Sequence, residues 1–265
     1  MDRRDFLAAL AASGVAANAK TLALQANQPD QSGREFYELR RYHFQSGPQI
    51  DRANAYFKDA LIPALNRLSI KAVGVFTVTI GPETPTMCVL TPSASLETLV
   101  TKEARLFRDA EYLKAGEAFL NAPAREPAYI RVESSLQQAF EAMPKLAVPP
   151  AGPNRPRMFE LRTYESPSDQ DHVRKVEEFN SGEVESFRKA GFWGVFYSDT
   201  LIGPRMPSLT YMIGFEDLAD RDRKWTAFRS EPGWVKLNGQ PRYTFEAIVS
   251  NVTNLILTAT PYSQI

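Results

Sequence analysis

The sequence predicts an α+β fold made of two tandem β-α-β-β-α-β modules that pack as one α+β barrel within the chain. Three observations predict it: landmarks that recur at a nearly constant offset, the same order of strand and helix patterns in both copies, and a proline-rich stretch between them. Each module has the ferredoxin-like order. Its sheet carries helices on one face only, so each copy is expected to cover the open face of the other.

The repeat is clearest in the first strand of each copy. The segment YELRRY at 37–42 is echoed 122 residues later by FELRTY at 159–164. Further matches follow in the same order: GVF at 74–76 and 194–196, IGP at 80–82 and 202–204, and Pro85 and Pro207. Four matched landmarks in one order indicate an internal duplication.

The first copy is predicted to follow this order: a strand near 35–44, a helix over 53–68, a hairpin of strands at 72–80 and 87–91, helical sequence over 95–120 and a strand near 128–133. Apolar residues at three-and-four spacing indicate the first helix. Pro63 is expected to kink or end it, because proline removes a backbone donor.

The second copy repeats this plan, with Ser168 and Asp217 as the expected N-caps of its two helices. Its predicted elements are a helix to Ala190, strands near 193–198 and 209–215, a helix through Phe228 and a last strand within 244–258. The predicted divisions are an export signal and linker at 1–33, a first module at 34–140, a proline-rich linker at 141–156 and a second module at 157–265.

The N-terminus is predicted to be an export signal. Arg3 and Arg4 precede an uncharged apolar segment at 6–17, and cleavage sites of the small-x-small type end at Ala19 and at Ala26. The string Arg-Arg-Asp-Phe-Leu resembles the twin-arginine signal, which is read as an address and not as an anchor. The mature protein is therefore expected in the periplasm or outside the cell, with both cleavage positions left open.

Composition excludes several classes of partner and site. Lys+Arg and Asp+Glu are equal at 31 each, which argues against nucleic acid as a partner. Cys88 is the single cysteine, so no intramolecular disulfide or thiolate metal cluster forms. The mature chain has no apolar stretch of about 18 residues, so no transmembrane segment is predicted there.

The first strand of each copy carries the candidate site. Side chains alternate across a strand, and the pair Tyr37 and Leu39 is expected to face the helices. The polar triplets are then expected to face the barrel interior or its mouth: Glu38, Arg40 and Tyr42, and Glu160, Arg162 and Tyr164. The functional interpretation is that each triplet lines a pocket, in which Arg binds an anion and Tyr or Glu moves a proton. The alternative is structural, a self-satisfied Glu–Arg pair with a Tyr hydroxyl, since buried charges need partners.

Two tryptophans mark the second copy. Trp225 and Trp234, with Phe228 between them, are spaced to lie on one side of the last helix and its exit. They either pack in the core or against a partner, or form the aromatic wall of a pocket. Any site is therefore expected between the copies, on the tryptophan-rich second half.

These residues resemble the NIPSNAP family. The likeness rests on the Glu-Leu-Arg-x-Tyr strand, the Gly-x-Val-Phe strand, the Ile-Gly turn and the segment from Ala219 through Trp234. It covers nearly all of the chain after Arg34. The resemblance implies the fold of dimeric α+β barrel proteins, a group that includes haem-binding enzymes, small monooxygenases and ligand-binding stress proteins; it implies no defined reaction.

No metal site and no cofactor are predicted. His43 and His172 lack a second histidine at ligand spacing, although either one as a single haem ligand is left open. His43 is expected on the helix side of its strand and His172 in the first turn of a surface helix. Cys88, mid-strand, is interpreted as a small core residue.

Two hypotheses for function remain. In the first, the protein is an exported module that binds a small apolar or amphipathic molecule, or a protein partner, in the cleft between the two modules, with a homo-oligomer left open. In the second, it is an α+β barrel enzyme, monooxygenase-like or haem-dependent, acting on a small aromatic or lipid-like substrate. The sequence leaves open whether the protein is an enzyme.

Overall fold

A computed structural model describes residues 33–45, 47–148 and 158–265 of the chain. The predicted export signal at 1–32 and residues 149–156 of the predicted linker lie outside the described residues. Arg34–Ile265 form one compact unit. Among the helices in these ranges, none is both long enough and apolar enough to cross a membrane.

The first copy has the predicted order of elements. They are β1 (Phe36–His43), α1 (Pro48–Tyr56), the π-helical turn π1 (Phe57–Leu61), α2 (Ile62–Arg67), β2 (Gly74–Ile80), β3 (Thr86–Ser93), α3 (Leu96–Leu106), α4 (Ala110–Ala115), α5 (Glu117–Leu120) and β4 (Arg131–Ala139). The last strand begins and ends later than the sequence pattern predicts, because residues 131–139 are the ones that pair with β1.

The second copy repeats this order. Its elements are β5 (Met158–Glu165), α6 (Asp169–Glu178), the π-helical turn π2 (Phe179–Glu183), α7 (Val184–Lys189), β6 (Trp193–Ile202), β7 (Ser208–Phe215), α8 (Leu218–Ser230), α9 (Pro232–Asn238), a 3₁₀ turn (Pro241–Tyr243), α10 (Phe245–Ile248) and β8 (Asn251–Ala259). Ser168 and Asp217 cap their helices, each accepting a backbone N–H three residues on.

The eight strands form one closed antiparallel barrel in the order β1-β3-β2-β8-β5-β7-β6-β4. Each copy contributes a ferredoxin-like sheet, and the edge strands of one pair with those of the other at two seams, β2 with β8 and β4 with β6. Closure leaves no free sheet edge. The predicted intrachain α+β barrel is confirmed, and β1 and β5 stand opposite each other in it.

Three apolar cores hold this architecture. One fills the barrel and takes residues from both copies, among them Tyr37, Leu39 and Phe159. The other two lie between the outer face of the barrel and the helices, one for each copy. Cys88 is buried in the barrel core, as predicted.

The first helix of each copy is interrupted at the same place. π1 and π2 lie 122 residues apart, although their sequences differ there. Pro63 follows π1 in the first copy, whereas the second has Glu185 at that position and instead Gly182, with φ of 156°, inside π2. Pro63 was predicted to kink or end the helix; the regular α-helix is interrupted just before it by π1, and Pro63 lies in the first turn of α2, where a missing N–H is tolerated.

Candidate functional site: two clefts and a buried charge cluster

The polar triplets face the helices, not the barrel interior. Lys102 of α3 lies 2.7 Å from Oε2 of Glu38, and Arg221 of α8 lies 2.8 Å from Oε2 of Glu160. Tyr37 and Leu39 point instead into the barrel core. The predicted assignment of the two faces was wrong, because closure of the barrel makes its interior the more apolar side, while helix charges reach the outer side.

In the part of the chain that the structure describes, an apolar core fills the barrel interior. The cavity that both copies line, near Arg41, Thr163 and Arg205, has a volume of about 20 Å³, close to that of one water molecule. The triplets therefore do not lie in a cleft between the modules, as was predicted. The triplets lie under the helices of their own copies, on opposite strands of the barrel.

Each triplet lines a cleft between the sheet and the helices of its copy. The first cleft, about 420 Å³, includes Arg40 and Tyr42. The second, about 400 Å³, includes Arg162, Tyr164 and both predicted tryptophans. Trp225 and Trp234 thus form part of a pocket wall as well as packing against the core of the second copy. The eight predicted residues are brought together as two groups. Glu38 pairs with Arg40 and Glu160 with Arg162, and these arginines line the clefts.

Glu160 organises the floor of the second cleft. Its side chain is fully buried and accepts hydrogen bonds from Arg162 Nη1 at 2.7 Å, from two nitrogens of Arg221 at 2.8 Å and from Trp225 Nε1 at 3.0 Å. Burial by itself raises the pKa of Glu160, but Arg221 and Arg162 outweigh it and hold this pKa below its usual value. Glu160 is therefore a fixed anion that orients two guanidinium groups.

Arg162 is a cation at the floor of the second cleft, which Arg221 and Arg229 also line. Nη2 and Nε lie 3.0 and 3.3 Å from the hydroxyl of Tyr164, and the guanidinium carbon lies 4.7 Å from the ring centroid of Trp225. Among the described residues, these contacts and the one to Glu160 use three of its five N–H donors. The guanidinium is thus stacked, oriented and left with donors for a bound group.

The two clefts differ in how the arginine of the triplet is paired. In the first, Arg40 lies 3.0 Å from Glu38 and 2.8 Å from Glu103, and Lys102 contacts the same two carboxylates. In the second, Arg162 and Arg221 both pair with Glu160, and Arg221 also lies 3.1 Å from Asp222. Counting from the helix N-caps, Trp225 takes the position of Glu103. The indole lies against the Arg162 guanidinium instead of pairing with it, so Arg162 contacts one carboxylate where Arg40 contacts two.

A buried charge cluster lies beside the second cleft. Lys175 Nζ lies 2.7 Å from Oε2 of Glu178 and 2.9 Å from Oε2 of Glu183, and all three side chains are at most 3% exposed. Glu183 also lines the cleft. Four rings surround the ammonium, with centroids 4.7 to 5.8 Å away: Tyr164, Phe179, Trp234 and Phe245.

The cluster holds more negative than positive charge if both carboxyl groups are ionised. Burial raises the pKa of Glu183 to about 7 despite Lys175, with Glu178 adding to the rise. Burial likewise raises the pKa of Glu178 above its usual value. Burial lowers the pKa of Lys175, but the two carboxylates outweigh this and keep it raised. The ammonium is therefore charged, and the protonation of each carboxyl group depends on that of the other.

Sequence reasoning missed this cluster. Lys175, Glu178 and Glu183 occur in a helix whose other residues are largely polar, so they are indistinguishable there from a solvated face. The available signal was the repeat, since the corresponding positions in the first copy are the apolar or aromatic Ala53, Tyr56 and Leu61.

The two histidines lie outside both clefts. His43 Nδ1 lies 2.9 Å from Glu83, and ligand atoms of His43, Glu83 and Glu133 lie within 4.8 Å of one another. Arg131 lies within 3.3 Å of both carboxylates, so their charges are already paired. His43 is not on the helix side as predicted, because the faces of β1 are reversed.

His172 was predicted to lie in the first turn of a surface helix. It does lie in that turn, but it is buried and contacts Asp199 at 2.7 Å.

The fold and the two clefts define an α+β barrel protein of the dimeric-barrel type in which one chain supplies both halves. The NIPSNAP family model matches residues 37–126 and 159–264. The chain therefore belongs to the NIPSNAP family. No functionally curated protein matches the sequence.

Solved structures share this fold. A candidate monooxygenase from Lactobacillus acidophilus NCFM has a TM-score of 0.54 and 7% identity over 85% of this chain and 94% of its own. A candidate monooxygenase from Fusobacterium nucleatum has a TM-score of 0.55 and 7% identity over 85% and 92%. An uncharacterised NIPSNAP-like domain protein from Burkholderia xenovorans has a TM-score of 0.33 and 22% identity over 38% and 83%. At these identities the likeness concerns the fold alone.

Proposed function

We propose that this protein binds a small molecule with an aromatic or apolar body and one anionic group in its second cleft. The observation that carries the proposal is Arg162, stacked on Trp225 at the cleft floor and directly paired with one carboxylate, that of Glu160. An anion accepted there gains charge-assisted hydrogen bonds. The apolar body lies against Trp225, Phe228 and Trp234, which line the same cleft.

The size and lining of the cleft support a small molecule over a protein partner. A volume of about 400 Å³ is in the lower part of the range of ligand pockets, and such pockets combine apolar walls with a few placed polar groups. The fold also occurs in candidate monooxygenases, but that likeness is of fold only, so binding is the function proposed for this site.

Calorimetric titration with 2-naphthoate and its neutral counterpart 2-naphthamide tests the proposal. We expect the anion to bind at least about tenfold more tightly, since a hydrogen bond to a charged group contributes about 1.5–3 kcal/mol. Arg162→Met removes this preference, whereas Arg174→Met, an arginine on the exposed side of α6 paired with Asp171, retains it. Equal affinity for the two probes, or an anion preference that survives Arg162→Met, would contradict the proposal.

We also propose that the protein acts outside the cytoplasm. The support is the sequence of residues 1–33, with Arg3 and Arg4 before an uncharged apolar segment and two small-x-small sites. The test is the location of the full chain in cell fractions. We expect a processed form in the exported fraction, and Arg3→Lys with Arg4→Lys to retain the precursor inside the cell. Export that is unaffected by the double substitution would contradict a twin-arginine route.

A further inference from the structure

The buried charge cluster is specific to one copy of a duplicated fold. Both copies keep the π-helical turn, and Glu183 is the last residue of π2 as Leu61 is the last residue of π1. Lys175 and Glu178 take the positions of Ala53 and Tyr56. The first copy folds into the same elements without these charges, so the architecture does not require them.

Charges retained in such a place have a physical cost. Taking ions out of water costs several kcal/mol for each, and apolar residues of similar volume are often as stable or more so. The cost is visible in Glu178, whose Oε1 is buried and has no hydrogen-bond partner among the described residues. Perturbed acids beside a cleft are candidates for proton transfer, and π-turns are frequent at functional sites.

We propose that Glu183 is the proton-transfer residue of the second cleft, acting on an aromatic carbonyl compound with an acidic C–H bond. This rests on the proposed function, because the ligand must be held by Arg162. Glu183 and Arg162 line the same cleft, and the carboxyl oxygen Oε1 of Glu183 makes no hydrogen bond within the described part of the chain, while Oε2 is held by Lys175.

The step needs no oxidant and no further reactant. Ionised Glu183 removes a proton from the carbon next to the carbonyl, the C–H electron pair forms a C=C bond, and the negative charge moves to the carbonyl oxygen. The guanidinium of Arg162 stabilises that oxygen anion. Return of the proton from Glu183 to the enolate oxygen or to carbon completes an enol–keto interconversion with all atoms and charges conserved.

The surroundings of Glu183 suit both directions of this transfer. Lys175 and Glu178, from the same helical segment, and Arg162, from the sheet, influence the pKa of Glu183. The charge of Glu183 in turn raises the pKa of the buried hydroxyls of Tyr197 and Tyr211. A pKa of Glu183 near 7 places the acid and base forms at comparable populations near neutral pH.

Phenylpyruvate in D₂O is the probe, because it combines a phenyl ring, a carboxylate and an acidic benzylic C–H. Proton NMR follows loss of the benzylic signal, and calorimetry measures binding. We expect the wild-type protein to accelerate exchange. Glu183→Gln should lose at least about 100-fold of that acceleration with a Kd within about threefold of wild type. Glu185→Gln, an exposed acid paired with Arg188, serves as the matched control and should exchange at the wild-type rate.

The outcomes separate the two proposals. Binding of phenylpyruvate without faster exchange, or exchange that is unchanged in Glu183→Gln, overturns the inference and leaves the binding function standing. No binding of phenylpyruvate or naphthoate overturns both. If Glu183→Gln does not fold, the wild-type pH profile decides: exchange at saturating probe must rise with the ionisation of a group near pH 7, and a flat profile from pH 5 to pH 9 overturns the inference.

Discussion

Lys175 Nζ lies 2.9 Å from Oε2 of Glu183, in contact with a second carboxylate from Glu178 and out of reach of solvent. One ammonium between two buried carboxylates is an arrangement in which each group depends on the protonation of the others. The cluster therefore has consequences for stability, for pH dependence and for the chemistry of the adjacent cleft, and these can be measured separately.

The stability of the protein should depend on pH through Glu183. Its pKa is raised to about 7 in the folded protein from a usual value of 4.5, so this group's stabilisation is full below pH 4.5 and is lost as pH rises to 7. Glu183→Gln removes that loss. The free energy of unfolding of the variant relative to wild type should therefore rise by up to about 3 kcal/mol between these pH values.

Urea denaturation at half-unit pH steps measures this difference. Glu185→Gln provides the comparison, because that carboxylate is exposed and its pKa is lowered by Arg188. If the difference in unfolding free energy between Glu183→Gln and wild type stays constant from pH 4.5 to pH 7, the pKa of Glu183 is not raised in the folded protein.

Removing the lysine alone should be costly, whereas removing the whole cluster should not. Lys175→Met leaves two buried carboxyl groups without a cation, and we expect a loss of about 3–5 kcal/mol at neutral pH. The triple variant Lys175→Met, Glu178→Leu, Glu183→Leu should recover to wild-type stability or exceed it. Lys58→Met, at an exposed lysine, should change stability by less than about 0.5 kcal/mol.

Thermal unfolding followed by circular dichroism ranks these variants. A triple variant no more stable than Lys175→Met would mean that the cluster contributes to the fold of the second copy, against the inference drawn from Ala53, Tyr56 and Leu61. A triple variant of wild-type stability that has lost proton exchange would separate the chemical role of the cluster from any structural one.

The two clefts should bind anions unequally. Arg40 is neutralised by Glu38 and Glu103, while Arg162 shares Glu160 with Arg221. Arg162→Met should therefore weaken naphthoate binding by at least about tenfold, and Arg40→Met should leave its Kd within about threefold. The reverse pattern, measured by the same calorimetry, would place the site in the first copy.

Glu160→Gln should destabilise the second copy. The substitution removes the anion shared by Arg162 and Arg221 in a fully buried position, and breaking a buried pair costs about 3–5 kcal/mol. Because the pKa of Glu160 is held low, the wild-type advantage is full above its usual pKa and is lost as pH falls through the lowered pKa of the folded protein. The difference in unfolding free energy between wild type and variant should therefore be smaller at pH 3 than at pH 7. A stability difference of the same size at both pH values would show that loss of the ion pair is not its cause.

Much of the architecture follows from the sequence because it is encoded locally and twice. The repeated strand, the caps Ser168 and Asp217 and the strand–helix order predict the two modules, and the closed barrel confirms their combination. The last strand of the first copy was misplaced because its pattern at 128–133 does not reveal its pairing with β1.

The sequence by itself determined the duplication, the barrel and the residue types at the cleft floor. Alternation along β1 and β5 sorts side chains into two faces, but only barrel closure decides that Tyr37 lies inside and Arg40 and Arg162 lie under helices. Likewise, nothing in the helical pattern separates Lys175, Glu178 and Glu183 from a solvated face. Burial is a property of neighbours distant in sequence, here Tyr164, Trp234 and Phe245, and those neighbours turn three ordinary polar residues into a coupled acid–base cluster.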